Sequence, residues 1–122
     1  MEYVQGVAAI PPASDEALFR IAIGRYYYAT YKCLCDCSSF ISSRPSIGKS
    51  AHLELREHLS RKIFGNMNHS TLRSIKSLHE LRKECDYENT RTIVLGDLDN
   101  ALNLMNDIRD CKQLKAHYGR WW

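Results

Sequence analysis

From Asp15 to Ile41 the chain runs without a proline, and Phe19, Ala22, Ile23, Tyr26, Tyr27, Ala29, Cys33 and Leu34 fall on one side of a helical wheel. That face takes nearly half the circumference, wider than the stripe of a surface helix. It predicts a central helix over residues 15–41 that other elements must cover. Ser14 is placed to cap it, with Asp15 and Glu16 in the first turn, where the helix dipole favours negative charge.

The remaining segments read as shorter helices. "ISSRPSIGKS" gathers Ser, Pro and Gly and is expected to be a connection. Leu55, Leu59 and Ile63, four residues apart, predict a second helix from Lys49 to Phe64, which "GNMNHS" ends. Ser70 is the expected cap of a third helix running to about Tyr87. A fourth, beginning near Asp97, carries Leu98, Ala101, Leu102, Met105 and Ile108. Strand character is confined to "RTIVL". The expectation is all-α: an antiparallel bundle of four to five helices over residues 14–116. An irregular arm, 1–13, precedes it. An aromatic and basic tail, "HYGRWW" at 117–122, is expected to dock on its own domain or on a neighbouring subunit.

At 122 residues the chain suffices for one domain with a real core. A net charge of +3 permits nucleic acid as a partner without announcing it. No apolar run approaches the roughly 20 residues that span a bilayer, and no signal core opens the sequence, so a cytoplasmic protein without membrane contact is expected. Three of the five cysteines crowd into "CLCDC". In a helix Cys33 and Cys37 share a side while Cys35 points nearly opposite, so reduced thiols are expected rather than a metal site or a disulfide. A Gly-rich phosphate loop, a nucleophile elbow and a dinucleotide fingerprint are all missing, and no cofactor is expected.

Several polar residues sit where apolar ones belong. Ile75, Leu78, Leu81 and Cys85 span an arc of about 120°, and Arg82 falls inside it. A guanidinium cannot shed its charge there, so it needs an acceptor or a polar cleft. Asp86 lies one turn on and His79 one turn before, the three within about 60°, with Tyr87 at the edge of the group. The plainer reading is an Arg–Asp strut, and the sharper one is an anion site. The first helix carries a second polar stripe of Arg25, Tyr28, Lys32 and Asp36. His52 lies in line with Leu55, Leu59 and Ile63, a placement more usual for a hydrogen-bonded core histidine than for a ligand.

These positions coincide with those of a known family. "DEALFRIAIGRYYYATYKCL" resembles the first long helix of HEPN domains (higher eukaryotes and prokaryotes nucleotide-binding), with Gly24 to Ala29 on a Ser-Arg-Ala-Tyr-Tyr-Ala-like signature. "SAHLELREHL" is similar to the segment where the family places a histidine, here His52. "LHELRKECDY" resembles its Leu-x-x-Arg-x-x-Ala-Asp-Tyr stretch, with Arg82, Asp86 and Tyr87 in register and Cys85 standing for alanine. The similarity covers about residues 14–115.

What the resemblance implies is a homodimer in which two copies of an Arg-x(4–6)-His motif meet at a cleft, often a metal-independent ribonuclease of toxin–antitoxin or antiviral systems. A nucleotidyltransferase antitoxin is the implied protein partner. In that chemistry histidine moves protons and arginine steadies the phosphorane. Here Tyr87 occupies the histidine position, and a phenol is a poor base near neutrality. Two readings remain. In one, Arg82 acts with His79, Asp86 and Tyr87 as the catalytic group, while Arg25, Tyr28, Lys32 and His52 bind RNA. In the other, the same groove holds a nucleotide or a protein partner without catalysis.

Overall fold

Proline is tolerated in the first turn of a helix, where its missing N–H has no partner to lose, and Pro12 opens the first helix of the computed structural model. The structure describes residues 12–41, 50–87 and 91–122. In chain order the elements are α1 (Pro12–Ser38), α2 (Ala51–Leu59), a π-helical turn (Ser60–Phe64), α3 (Ser70–Asp86), α4 (Leu95–Arg109) and α5 (Lys112–Tyr118). Most of the expected arm, most of the connection with Lys49, and residues 88–90 lie outside the described residues. The protein is an all-α helical bundle, and among the described residues no strand forms, "RTIVL" included. No described helix is long and apolar enough to cross a membrane.

Element ends differ from expectation for local reasons. Ser14 lies inside α1 rather than capping it, because the helix already starts at Pro12. α1 stops at Ser38, three residues early: Ser39 turns left-handed (φ 54°), and Phe40 N–H reaches back to the Cys35 carbonyl at 3.0 Å. Ser50 caps α2, its hydroxyl accepting from Leu53 N–H at 3.1 Å. His69, not Ser70, caps α3. Its Nδ1 accepts from Thr71 N–H at 3.1 Å while its ring stacks on Phe64. α4 begins at Leu95, and Asp97 closes its first turn by accepting from Val94 N–H at 2.9 Å.

α1, α3 and α4 pack on one another, α2 leans on α3 and more lightly on α1, and α5 closes over the π-helical turn. Ile23, Tyr27, Leu34, Leu55, Leu59, Leu72, Ile75, Leu78, Ile108 and Leu114 are buried at their centre. Two positions on the predicted faces fall outside it: Ala29 and Leu102 are exposed. Thr30 is buried instead, its hydroxyl satisfied by the Tyr26 carbonyl at 2.8 Å. Trp121 is buried in the same core, so the aromatic tail docks on its own domain.

A polar clamp fixes the end of the bundle. Arg20 Nη1 donates to the carbonyls of Glu84 (3.0 Å) and Cys85 (2.9 Å) in the last turn of α3, where helix carbonyls run short of intrahelical donors. Its Nη2 donates to the Arg91 carbonyl (2.7 Å) and to Glu16 (2.9 Å). The Glu16 carboxylate also accepts from Ile93 N–H at 2.7 Å, and these bonds hold it below the usual carboxylate range. One side-chain pair on α1 thus ties down the C-terminus of α3 and the lead-in to α4.

Candidate functional site: histidines stacked between three helices

Where α1, α2 and α3 meet, the core turns aromatic and polar. Tyr27, 1% exposed, sets its ring 5.0 Å from His79 and 5.3 Å from His52. The two imidazoles, from α2 and α3, stack at 4.1 Å with their planes 25° apart. Tyr31, one turn along α1, sets its ring 4.7 Å from His52. The helical repeat accounts for the rest. Arg56 follows His52 by one turn on α2, and Arg82 and Lys83 follow His79 by one turn on α3.

A hydrogen bond joins the Tyr27 hydroxyl to His52 Nδ1. Burial pushes the Tyr27 phenol well above its ordinary range, so it keeps its proton and acts as the donor. His52 must then accept at Nδ1, and when neutral it carries its proton on Nε2. Burial, then the charges of Arg82, Arg56 and Lys83, lowers the His52 pKa. His79 is lowered to about 4, by burial first and then by His52, Lys83, Arg56 and Arg82. Both rings are therefore neutral near pH 7.

That shift has a consequence for stability. A histidine that resists protonation in the folded state leaves the unfolded chain as the better proton acceptor between the folded and unfolded pKa values. His79 stabilises the fold fully above about pH 6.5 and progressively less as the pH falls toward about 4. Over that window the loss should be on the order of 1–3 kcal/mol. Urea denaturation at several pH values should show it. His79→Gln should flatten the slope, and an equally steep slope in that variant would assign the acid sensitivity elsewhere.

Arg82 lies at the edge of this cluster. Its guanidinium packs 4.6 Å from the centre of the Tyr28 ring, hydrogen-bonds the Tyr28 hydroxyl, and sets Nε 3.2 Å from Asp86. That Nε is buried without an aligned hydrogen bond, so Asp86 contributes charge more than a directed acceptor. His79, Arg82 and Asp86 thus lie together as the wheel placed them, and His52 joins them from α2.

The other expected residues lie further out. Tyr87 is 63% exposed and lines a depression of about 540 Å³ with Lys83, Glu84 and Arg91. Arg25, Tyr28 and Lys32 are exposed on α1, Lys32 pairing with Asp36 at 3.3 Å. It is Tyr28, one turn from Arg25, that α1 presents to Arg82.

Two members were missed from sequence: Tyr27 as the partner of His52, and Arg56. Arg56 is 8% exposed, and its Nη1 has no hydrogen-bond partner. The wheel held the signal, since Arg56 falls about 20° beyond Ile63, at the edge of the arc that Leu55, Leu59 and Ile63 span. No group of three or more His, Cys, Asp or Glu side chains suited to a metal ion occurs among the described residues. Comparison of the chain with family models, curated proteins and solved structures returns no match.

Proposed function

We propose that this chain is a HEPN-like protein directed at RNA, and that the histidine stack is the centre of a metal-independent ribonuclease. The observation that carries the reading is the stack itself: two neutral imidazoles from different helices, 4.1 Å apart, with Arg56, Arg82 and Lys83 close enough to depress their titration. A structural core histidine needs no such company of cations. A phosphodiester does, because its charge grows as the phosphorane forms.

In this mechanism His79 accepts the proton of a ribose 2′-OH as that oxygen bonds to the adjacent phosphorus. The proton is then handed to the 5′-oxygen as its bond to phosphorus breaks, leaving a 2′,3′-cyclic phosphate and a 5′-hydroxyl. The bound phosphate offsets the surrounding positive charge and so raises the basicity of His79 when substrate is present. His52, held by Tyr27, donates from Nε2 to a phosphoryl oxygen, and Arg82 adds a permanent charge.

The second reading, a binding module without catalysis, is favoured by one fact: Tyr87, at the motif's histidine position, is largely exposed on a separate depression. Incubation with single-stranded RNA in a chelator separates the two. Cleavage ending in 2′,3′-cyclic phosphates is the expected result, and intact RNA at micromolar protein would leave only the binding module. The toxin reading further expects growth arrest on expression, relieved by a nucleotidyltransferase partner.

Dimerisation belongs to the same proposal. Leu18 (60% exposed), Ile21 (53%) and Tyr28 (48%) recur at helical spacing along the outer face of α1. A second copy docked there would bring two Arg82 side chains near one interface through Tyr28. Sedimentation should give a dimer at micromolar concentration and a monomer for Ile21→Asp. A wild-type monomer at that concentration would remove this part of the account.

A further inference from the structure

Arg56 stands on α2 as a guanidinium only 8% exposed. A guanidinium keeps its charge at any accessible pH, and burying one without full pairing is expensive. Burial lowers the Arg56 pKa and the Glu80 and Glu57 carboxylates act against that, yet its Nη1 meets no acceptor from the protein. Beside it, one turn back on α2, His52 has Nδ1 committed to Tyr27 and Nε2 as its remaining, proton-bearing nitrogen. Across from His52, stacked on it, His79 is 8% exposed and makes no side-chain hydrogen bond to any described residue. Three polar side chains from two helices, two of them more than nine-tenths buried, thus present donors or a titratable ring without protein partners.

From this geometry we infer that Arg56, His52 and His79 form a phosphate-binding site between α2 and α3, in which Arg56 is the fixed anion grip and His52 Nε2–H a second donor. The inference deepens the RNA reading and rests on it for the source of the phosphate, though not for the capacity to hold one. Tyr27 and Tyr31 from α1 touch the stacked rings, and the charges of Glu57 from α2 and of Glu80, Arg82 and Lys83 from α3 are felt by Arg56 or the rings. Arg82, by contrast, is turned to Tyr28 and Asp86, at the edge of the cluster. Division of labour follows: Arg56 holds the phosphate at depth, and Arg82 acts where the chain of an RNA would enter. A bound anion draws protons toward both rings, so occupancy raises their pKa values together.

The test is a titration followed on the histidine ring signals by NMR, with inorganic phosphate as the first probe and a 2′-O-methyl dinucleoside monophosphate as the second, at matched ionic strength. Expected is a saturable shift of His52 and His79, weakened about tenfold or more in Arg56→Gln and partly retained in Arg56→Lys, which keeps the charge should the glutamine variant fold poorly. Response to the diester marks an internal RNA phosphate, and response to inorganic phosphate alone marks a terminal one. Rings that ignore both probes, or that respond equally in a folded Arg56→Gln, overturn the site. The two proposals fail separately. RNA cleavage unchanged by Arg56→Gln would sink the grip and spare the ribonuclease, whereas phosphate held through Arg56 by a protein that leaves RNA intact would do the reverse.

Discussion

Arg82→Ala should lower RNA cleavage at least a hundredfold while the bundle stays folded, the scale expected when one donor to a developing oxyanion is removed. The stability side of this expectation follows from what Arg82 touches. The variant loses one i,i+4 pairing with the half-exposed Asp86, the hydrogen bond to the exposed Tyr28 hydroxyl and the packing on its ring, together about 1–2 kcal/mol. Activity and stability therefore separate at this residue. Cleavage rates measured beside urea midpoints would show whether they do. Unfolding of the variant would restore the plainer reading, in which Arg82 and Asp86 are a strut. A folded variant with undiminished cleavage would remove Arg82 from the chemistry altogether.

The largest effect on stability should come from a residue remote from the stack. Arg20→Ala removes four hydrogen bonds at once, three of them to backbone carbonyls, two of which end α3. It also strips Glu16 of its partner beside the Ile93 N–H. Leaving such acceptors unmet should cost about 3 kcal/mol and lower Tm by about 10 °C for a chain of this size. Arg20→Lys should recover only part of this, because one ammonium cannot span four acceptors on two sides. A melting temperature within a degree or two of wild type would mean that solvent replaces the clamp at little cost.

The comparison of these two arginines shows what a wheel can reveal. Arg82 stood out because it interrupts Ile75, Leu78, Leu81 and Cys85, and the structure places it beside Tyr28 and Asp86. Arg20 and Glu16 fall on the same arc as Tyr27 and Leu34, so the identical criterion applied to α1 points to the clamp. What it could not give was the partner, because carbonyls at the end of α3 carry no sequence signature. Arg56 was legible in the same way, next to Ile63 on the wheel of α2. The existence of the helices followed from apolar spacing. Their ends did not, since they depend on single side chains such as His69 turning its ring nitrogen to Thr71 N–H, or Ser39 adopting a left-handed backbone. The stack itself was the least legible feature. His52 and His79 are 27 residues apart, and only the angle at which α2 lies on α3 brings their rings together.

The proposed ribonuclease requires that RNA engage the imidazoles between α2 and α3. The chain offers its own controls, since three of its five histidines, His58, His69 and His117, lie outside the stack. Ring spectra recorded while a 2′-O-methyl RNA oligonucleotide, which cannot be cleaved, is added should show His52 and His79 moving together and saturating, with the other three still. Movement confined to His58, His69 or His117, or none at all, would contradict it.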